Sequence, residues 1–91
     1  MTIAFDVDGT LFDVNDKPRK EIIELLKALA STNEIVVWSA SSNYAEMMAR
    51  KAGIFDLVSI CSSKTNLFLK GVVDISFDDQ VVKLAKYNIK V

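Results

Sequence analysis

The chain has no histidine, one cysteine and one proline among its 91 residues. Without histidine, no imidazole can serve as a metal ligand, a general base or a proton relay. Cys61 alone cannot form an intramolecular disulfide, and nothing resembles a signal peptide or the roughly 20 apolar residues that span a bilayer. Carboxylates, hydroxyls and lysines remain for chemistry, and a reducing, cytoplasmic location away from any membrane is the expectation.

The charges nearly cancel, and the chain is short. Eleven lysines and arginines stand against twelve aspartates and glutamates, for a net charge of −1 at neutral pH. No global field therefore recruits nucleic acid or an anionic membrane, so any anionic ligand must be held by a local site. With 91 residues, of which 51% are hydrophobic, the sequence predicts one domain over residues 1–91 with a modest core.

Hydrophobic periodicity predicts alternating strands and helices along the chain. Strands are predicted at 3–5, 34–39, 57–61 and 72–77, with a short fifth strand at 89–91. Helices are predicted from Pro18 to a break at 31–33, from Ser41 or Ser42 to Ala52, and at 80–87. In the second helix, Tyr44, Met47 and Met48 are expected to face inward. The alternation predicts an α/β fold with a parallel sheet and right-handed crossovers.

Polar side chains stand where the predicted strands end. They are Asp6 and Asp8 after the first strand, Ser39 after the second, Lys64 after the third, and Asp78 and Asp79 after the fourth. Parallel strands all point the same way, so their carboxyl ends share one edge of the sheet. Ligands bind at that edge, where the strand order reverses. These six side chains are therefore expected to converge.

The gathered residue types indicate a particular chemistry. Four carboxylates at one edge would repel one another and raise each other's pKa unless a cation were bound. A hard divalent ion with oxygen ligands meets that need, and magnesium is the economical choice. Lys64 offers a positive charge and Ser39 a hydroxyl, while the amides of the 8–10 turn can add backbone donors. This set is typical of a phosphoryl-transfer site.

The two acids after the first strand suit two different roles. A carboxylate that attacks phosphorus forms an aspartyl-phosphate, and this route needs no histidine. A second carboxyl group two residues on could protonate the leaving alcohol and then activate the hydrolytic water. Asp6 and Asp8 fit these roles as nucleophile and general acid/base.

Four stretches resemble the motifs of the haloacid dehalogenase-like (HAD) superfamily, in order and over residues 2–85. The phosphatases of that superfamily carry Asp-x-Asp-x-Thr at the end of the first strand, which resembles FDVDGTLF here. Their second motif, a hydrophobic strand ending in Ser or Thr, is similar to IVVWSAS. Their third motif, a lysine beyond the third strand, is similar to SSK, and the paired acids of the fourth resemble ISFDD.

The resemblance implies a role for each matching residue. Asp6 would be the nucleophile and Asp8 the general acid/base, with Ser39 and Lys64 as phosphate ligands. The magnesium ligands would be Asp78 and Asp79, the Asp6 carboxylate and the backbone carbonyl of Asp8. The resemblance also implies a three-layer Rossmann-like sandwich with a mostly parallel sheet in an order resembling 5-4-1-2-3. Phosphomonoester hydrolysis is the implied reaction, because the family's dehalogenases lack the acid at position 8.

Three of these residue assignments have an alternative. Ser41 and Ser42 compete with Ser39 for the second motif, since all three follow the strand closely. Lys70 competes with Lys64, because both lie between the third and fourth strands. One of the two acids after the fourth strand could instead cap the last predicted helix.

The sequence leaves no room for a cap, the inserted domain in which this family generally recognises its substrate. Such an open site would suit a phosphorylated macromolecule, such as a protein or a nucleic-acid end, or would need a neighbouring subunit to close it. The oligomeric state is not encoded in any motif. A different class of function is also open, namely a phosphate- or metal-binding regulatory module with little turnover. The intact Asp8 favours the enzyme, because a pure binder needs no leaving-group acid.

Overall fold

Five strands form one sheet in the computed structural model, which describes residues 1–91. The strands are β1 Thr2–Asp6, β2 Glu34–Ser39, β3 Ile60–Ser63, β4 Ile75–Asp78 and β5 Tyr87–Lys90. The helices are α1 Lys20–Ala30 and α2 Ser42–Lys51, with single 3₁₀ turns at Phe55–Leu57 and Leu67–Leu69. Neither helix has the length and apolar character needed to span a bilayer.

Every strand pair in the sheet is parallel, and the strand order is β3-β2-β1-β4-β5. Read from the other edge, this is the predicted order 5-4-1-2-3, so the α/β class and the Rossmann-like topology are confirmed. The chain runs from β1 outward to β3, returns across the sheet to β4, and ends at β5. The strand order therefore reverses between β1 and β4, the crevice where such sheets bind ligands.

One face of the sheet is covered by both α-helices, and we call it the helix face. The connections β1-α1-β2 and β2-α2-β3 step in the same direction, and right-handed crossovers then place both helices on the same side. They bury the alternate strand residues Ile3, Phe5, Ile35 and Val37 in a core of 15 buried residues. The helices contribute the buried residues Ile22, Ile23, Leu26, Ala45, Met48 and Ala49.

The opposite face carries no α-helix, and we call it the loop face. Its buried apolar cluster has five members, Ala4, Val36, Trp38, Leu69 and Val73. The cover comes from the chain between β3 and β4, including the 3₁₀ turn Leu67–Leu69, while Ala85 from the segment before β5 also packs on the cluster. The third layer of the sandwich is therefore irregular chain.

The predicted helix at 80–87 is wrong, because irregular chain leads into β5. The side chain of Asn88 supplies the hydrogen bonds that a helix would have made. Its Oδ1 accepts from the amides of Leu84 and Ala85 and from the Ser76 hydroxyl, and its Nδ2 donates to the Ala85 carbonyl. A buried serine in β4 thus anchors an Asn-centred loop where periodicity predicts a helix.

Smaller differences concern the ends of elements. α1 begins at Lys20 instead of Pro18, because Pro18 pairs with Phe12 in an isolated antiparallel bridge. β3 begins at Ile60, after the 3₁₀ turn that follows α2, and β4 begins at Ile75. Met47 is 55% exposed although it was expected inward, because α2 turns Ala45, Met48 and Ala49 to the core.

Candidate active site

The reversal point of the sheet brings three carboxylates together. Asp6 ends β1 and Asp78 ends β4, and both point to the loop face because they alternate with Phe5 and Phe77, which belong to the core of the helix face. Asp6, Asp78 and Asp79 each offer a carboxylate oxygen, and these atoms lie within 4.8 Å of one another. Asp6 and Asp78 are buried, and Asp79 is half-buried. The convergence expected for these three acids is present in the structure.

Lys64 lies against two of these acids. Its Nζ is 2.8 Å from Asp6 Oδ1 and 2.7 Å from Asp78 Oδ2, and its backbone amide donates to the Ser39 carbonyl at the end of β2. Lys70, the alternative, is exposed and makes no ion pair. Lys64, which directly follows β3, is therefore the lysine that contacts the clustered acids.

The charges of the cluster do not balance within the chain. One ammonium stands among three carboxylates, so two negative charges are uncompensated when all three acids ionise. Burial raises the pKa of Asp6 to about 6, although the hydrogen bond from Lys64 opposes the rise. Burial also acts to lower the pKa of Lys64, but hydrogen bonds to Asp6 and Asp78 outweigh it and raise that pKa. The cluster thus favours a proton or an added cation.

The turn after β1 is shaped around the acids. Gly9 has a φ of +82°, which favours glycine, and a Cβ at this position would overlap the Asp79 carboxylate unless that side chain moved. The Arg19 guanidinium donates to the Gly9 carbonyl at 2.9 Å. The buried Thr10 hydroxyl donates to Asp6 Oδ2 at 3.4 Å. The turn therefore contacts Asp6 through Thr10 and Asp79 through Gly9.

The amides of this turn are less available than the sequence suggests. The Gly9 amide donates to the Phe12 carbonyl at 2.7 Å, and the Thr10 amide donates to the Val7 carbonyl at 3.2 Å. These bonds close the turn itself. Of the three amides expected to bind phosphate, only that of Asp8 makes no hydrogen bond within the chain.

Asp8 lies apart from the three acids. Its side chain is exposed, and its Oδ1 accepts a hydrogen bond of 2.7 Å from the Tyr44 hydroxyl in α2. That hydrogen bond, together with burial, raises the pKa of Tyr44 to about 12. The Asp8 carbonyl accepts no hydrogen bond, which leaves it available for the metal role that the resemblance implies. Sequence reasoning did not place Tyr44 at the site, since helical periodicity marks it only as an inward residue.

Ser39 ends β2 with a hydroxyl that makes no hydrogen bond within the chain, although the residue is 6% exposed. Ser41 instead accepts from the Tyr44 amide as the N-cap of α2, and Ser42 is the first residue of that helix. The capping role that could have fallen to any of the three serines thus belongs to Ser41.

The two acids after β4 also differ in their partners. Asp78 Oδ1 accepts from the Gln80 amide at 2.9 Å, while Asp79 Oδ2 accepts from the Gln80 side chain at 3.3 Å. No helix follows, so neither acid is a helix cap. Asp78 uses one oxygen for Gln80 and the other for Lys64, whereas Asp79 makes no ion pair.

The largest surface depression lies away from these residues. It measures about 540 Å³ and is lined by Thr2, Glu34 and Asp74, at the amino ends of the strands. No carboxylate of the cluster borders it. The clustered acids and Lys64 therefore lie at the opposite edge of the sheet from this depression.

Comparison with known proteins finds no relative, since no protein-family model, no curated protein and no solved structure matches the chain. The likeness of the four motifs remains a resemblance. A functional conclusion must therefore rest on the geometry and charge of the site.

Proposed function

We propose that this chain is a magnesium-dependent phosphomonoester hydrolase of HAD-like type, which acts through an aspartyl-phosphate on Asp6. One observation carries the proposal. The buried Asp6 carboxylate lies at the reversal point of the sheet, 2.8 Å from the Lys64 ammonium and grouped with Asp78 and Asp79. The single, unpaired cysteine fits a reducing compartment, and the proposal places the activity in the cytoplasm.

The residues present fit a divalent cation. All the clustered donors are carboxylate oxygens, the uncompensated charge is negative, and the Asp79 carboxylate lies against Gly9. Asp6, Asp78 and Asp79, with the Asp8 carbonyl, would hold the ion. Bound magnesium would offset the charge of a phosphate group and help to orient it.

The side chains divide the reaction between them. A carboxylate oxygen of Asp6 attacks phosphorus while the bond from phosphorus to the ester oxygen breaks, and the departing oxygen takes a proton from Asp8. Asp8, now ionised, accepts a proton from water as that water attacks the phosphorus of the aspartyl-phosphate. Inorganic phosphate leaves and Asp6 is regenerated. Lys64 and Ser39 bind the phosphoryl oxygens throughout.

The placement of Asp8 also supports a second candidate. Its carboxylate is exposed, bound by Tyr44 and outside the acid cluster, as would suit a phosphate- or metal-binding module with little turnover. The two candidates differ in one measurable respect, since only the hydrolase releases phosphate. In the hydrolase, Tyr44 would hold Asp8 toward the solvent side, from which a substrate enters.

The test is a phosphatase panel with and without magnesium. The substrates are p-nitrophenyl phosphate, sugar phosphates, nucleotides, phosphopeptides and oligonucleotides with 3′- or 5′-phosphates. Asp6→Asn should abolish magnesium-dependent release of phosphate, whereas Asp56→Asn, at an exposed acid in the 3₁₀ turn after α2, should not. Turnover that survives Asp6→Asn would contradict the nucleophile assignment.

A binding measurement separates the two candidates. Magnesium with beryllium fluoride, which mimics a phosphorylated aspartate, should raise the melting temperature of the wild type but not of Asp6→Asn. A thermal shift without any turnover would favour the binding module. If the protein shows no turnover and no thermal shift, both candidates are excluded.

A further inference from the structure

A cavity on the loop face adjoins the candidate site. It measures about 190 Å³, and Trp38 and Lys64 are among its lining residues. Trp38 pairs with Asp6 in the register of β1 and β2, so the two side chains stand next to each other on the same face of the sheet. Lys64 lines the cavity and also contacts Asp6 through its Nζ. The cavity therefore lies directly beside the proposed nucleophile.

Three donors around the cavity have no partner within the chain. The indole Nε1 of Trp38 is buried and makes no hydrogen bond, the only buried side-chain nitrogen or oxygen left so. A buried donor without an acceptor costs about 1–3 kcal/mol. Lys70 and Lys83 also line the cavity, and neither forms an ion pair. Two lysines without ion pairs thus line the cavity, together with the ring of Trp38, whose N–H is buried.

The walls of the cavity are held in place by two asparagines. Asn66 accepts from the Phe68 amide and donates to the Ser62 hydroxyl, which ties the 3₁₀ turn after β3 to that strand. Asn88 accepts from the Leu84 amide and the Ser76 hydroxyl, which ties the Lys83 segment to β4. Side-chain hydrogen bonds to β3 and β4 therefore position the segments that carry both lysines.

We propose that this cavity receives the leaving group of the substrate, and that this leaving group carries a second anionic group, a phosphate or a carboxylate. Lys70 and Lys83 bind the second anion, and Trp38 lies against the leaving group as part of the cavity wall. The volume of about 190 Å³ suits a compact leaving group. The assignment rests on the proposed function and narrows its substrate class.

Matched substrates test the second anion. Glycerol 3-phosphate and 3-phosphoglycerate differ by one carboxylate, and fructose 6-phosphate and fructose 1,6-bisphosphate differ by one phosphate. The anion-bearing member of at least one pair should have a kcat/KM at least ~10-fold higher, about 1.4 kcal/mol of extra transition-state binding. The double variant Lys70→Gln/Lys83→Gln should remove that preference. Lys27→Gln, on α1 and the helix face, should retain it.

Trp38 is the only tryptophan, so its fluorescence reports on the cavity without any turnover. Adding 3-phosphoglycerate or fructose 1,6-bisphosphate to the Asp6→Asn protein should change the emission, and Lys70→Gln/Lys83→Gln should abolish the change. If the emission changes only when Lys70 and Lys83 are present, and the wild type hydrolyses no substrate, the cavity assignment would be supported and the hydrolase refuted. Hydrolysis with no preference for a second anion, or a preference that survives the double variant, would overturn the cavity assignment and leave the hydrolase intact.

Discussion

The helix face and the loop face of the sheet differ in their cover and in the groups they carry. Two α-helices close the helix face over 15 buried apolar residues, whereas irregular chain covers the five of the loop face. Asp6 and Asp78 stand on the loop face, together with the indole N–H that lacks a partner. The apolar packing and the clustered acids therefore lie mainly on opposite sides of the same strands.

Equal truncations on the two faces should differ in cost. Leu26→Ala removes a fully buried side chain from α1 and should lower the free energy of unfolding by about 4 kcal/mol. Leu69→Ala should cost about 2 kcal/mol, because Leu69 lines the cavity and its irregular surroundings can relax. Urea denaturation followed by circular dichroism measures both values. Equal costs would contradict the division of packing between the faces.

Loss of the lysine among the acids should affect activity strongly. Lys64→Ala should lower kcat/KM for p-nitrophenyl phosphate by about 10²- to 10³-fold, because a charged donor to the phosphoryl oxygens is lost. Lys70→Ala should lower it by less than tenfold, since Lys70 does not contact the acids. Lys27→Ala, on the helix face, is the control. Comparable losses in Lys64→Ala and Lys70→Ala would mean that the ion pairs with Asp6 and Asp78 do not mark the phosphate site.

The burial of Asp6 should appear as a pH-dependent stability difference. The pKa of Asp6 is about 6 in the folded chain, against an ordinary value of 3.8. Protonated Asp6 therefore stabilises the fold fully below pH 3.8, and this stabilisation is lost as pH rises through 6. In EDTA, Asp6→Asn should therefore become more stable than the wild type as pH rises. The gap should approach roughly 2 to 3 kcal/mol at pH 7.5.

Urea denaturation at pH 4.5 and 7.5 checks this difference, with Asp56→Asn as the exposed control. Magnesium should reduce the gap at pH 7.5, because a bound cation stabilises the ionised carboxylate. A gap that is constant with pH would mean that Asp6 is not the group that titrates.

The hydrogen bond between Tyr44 and Asp8 should have the smallest effect. Tyr44→Phe keeps the ring and removes the hydroxyl, so kcat should fall by about three- to tenfold, on the order of 1 kcal/mol for one hydrogen bond. In the Asp8→Asn background the same substitution should cost almost nothing further, because the two residues act as a unit. Tyr87→Phe, at the only other tyrosine, is the control. Fully additive losses would show that Tyr44 does not act through Asp8.

The sequence was informative where local pattern decides the structure, and less so elsewhere. A nearly continuous apolar run with β-branched residues predicts β2 at its observed bounds. The polar residues at the ends of β1 and β4 predict that Asp6, Asp78 and Asp79 meet, although Asp8, expected with them, lies outside the cluster. The predicted helix at 80–87 fails because the Asn88 side chain bonds the loop backbone and is itself held by the Ser76 hydroxyl of β4, a tertiary contact that periodicity cannot register. Tyr44 was missed for a similar reason, since its partner Asp8 is remote in sequence and close only after the sheet forms.

The contact between Gly9 and Asp79 has a consequence for the order in which the site is built. β1 is made first during synthesis, yet its sheet neighbour β4 and the acids Asp78 and Asp79 arrive near the end of the described chain. Pairings so distant in sequence form late, because the intervening chain must be ordered before they gain any contact energy. A nascent chain that stops before β4 would carry Asp6 and Lys64 without the acid pair. The proposed binding of a cation would therefore require the last strand pairing at the site.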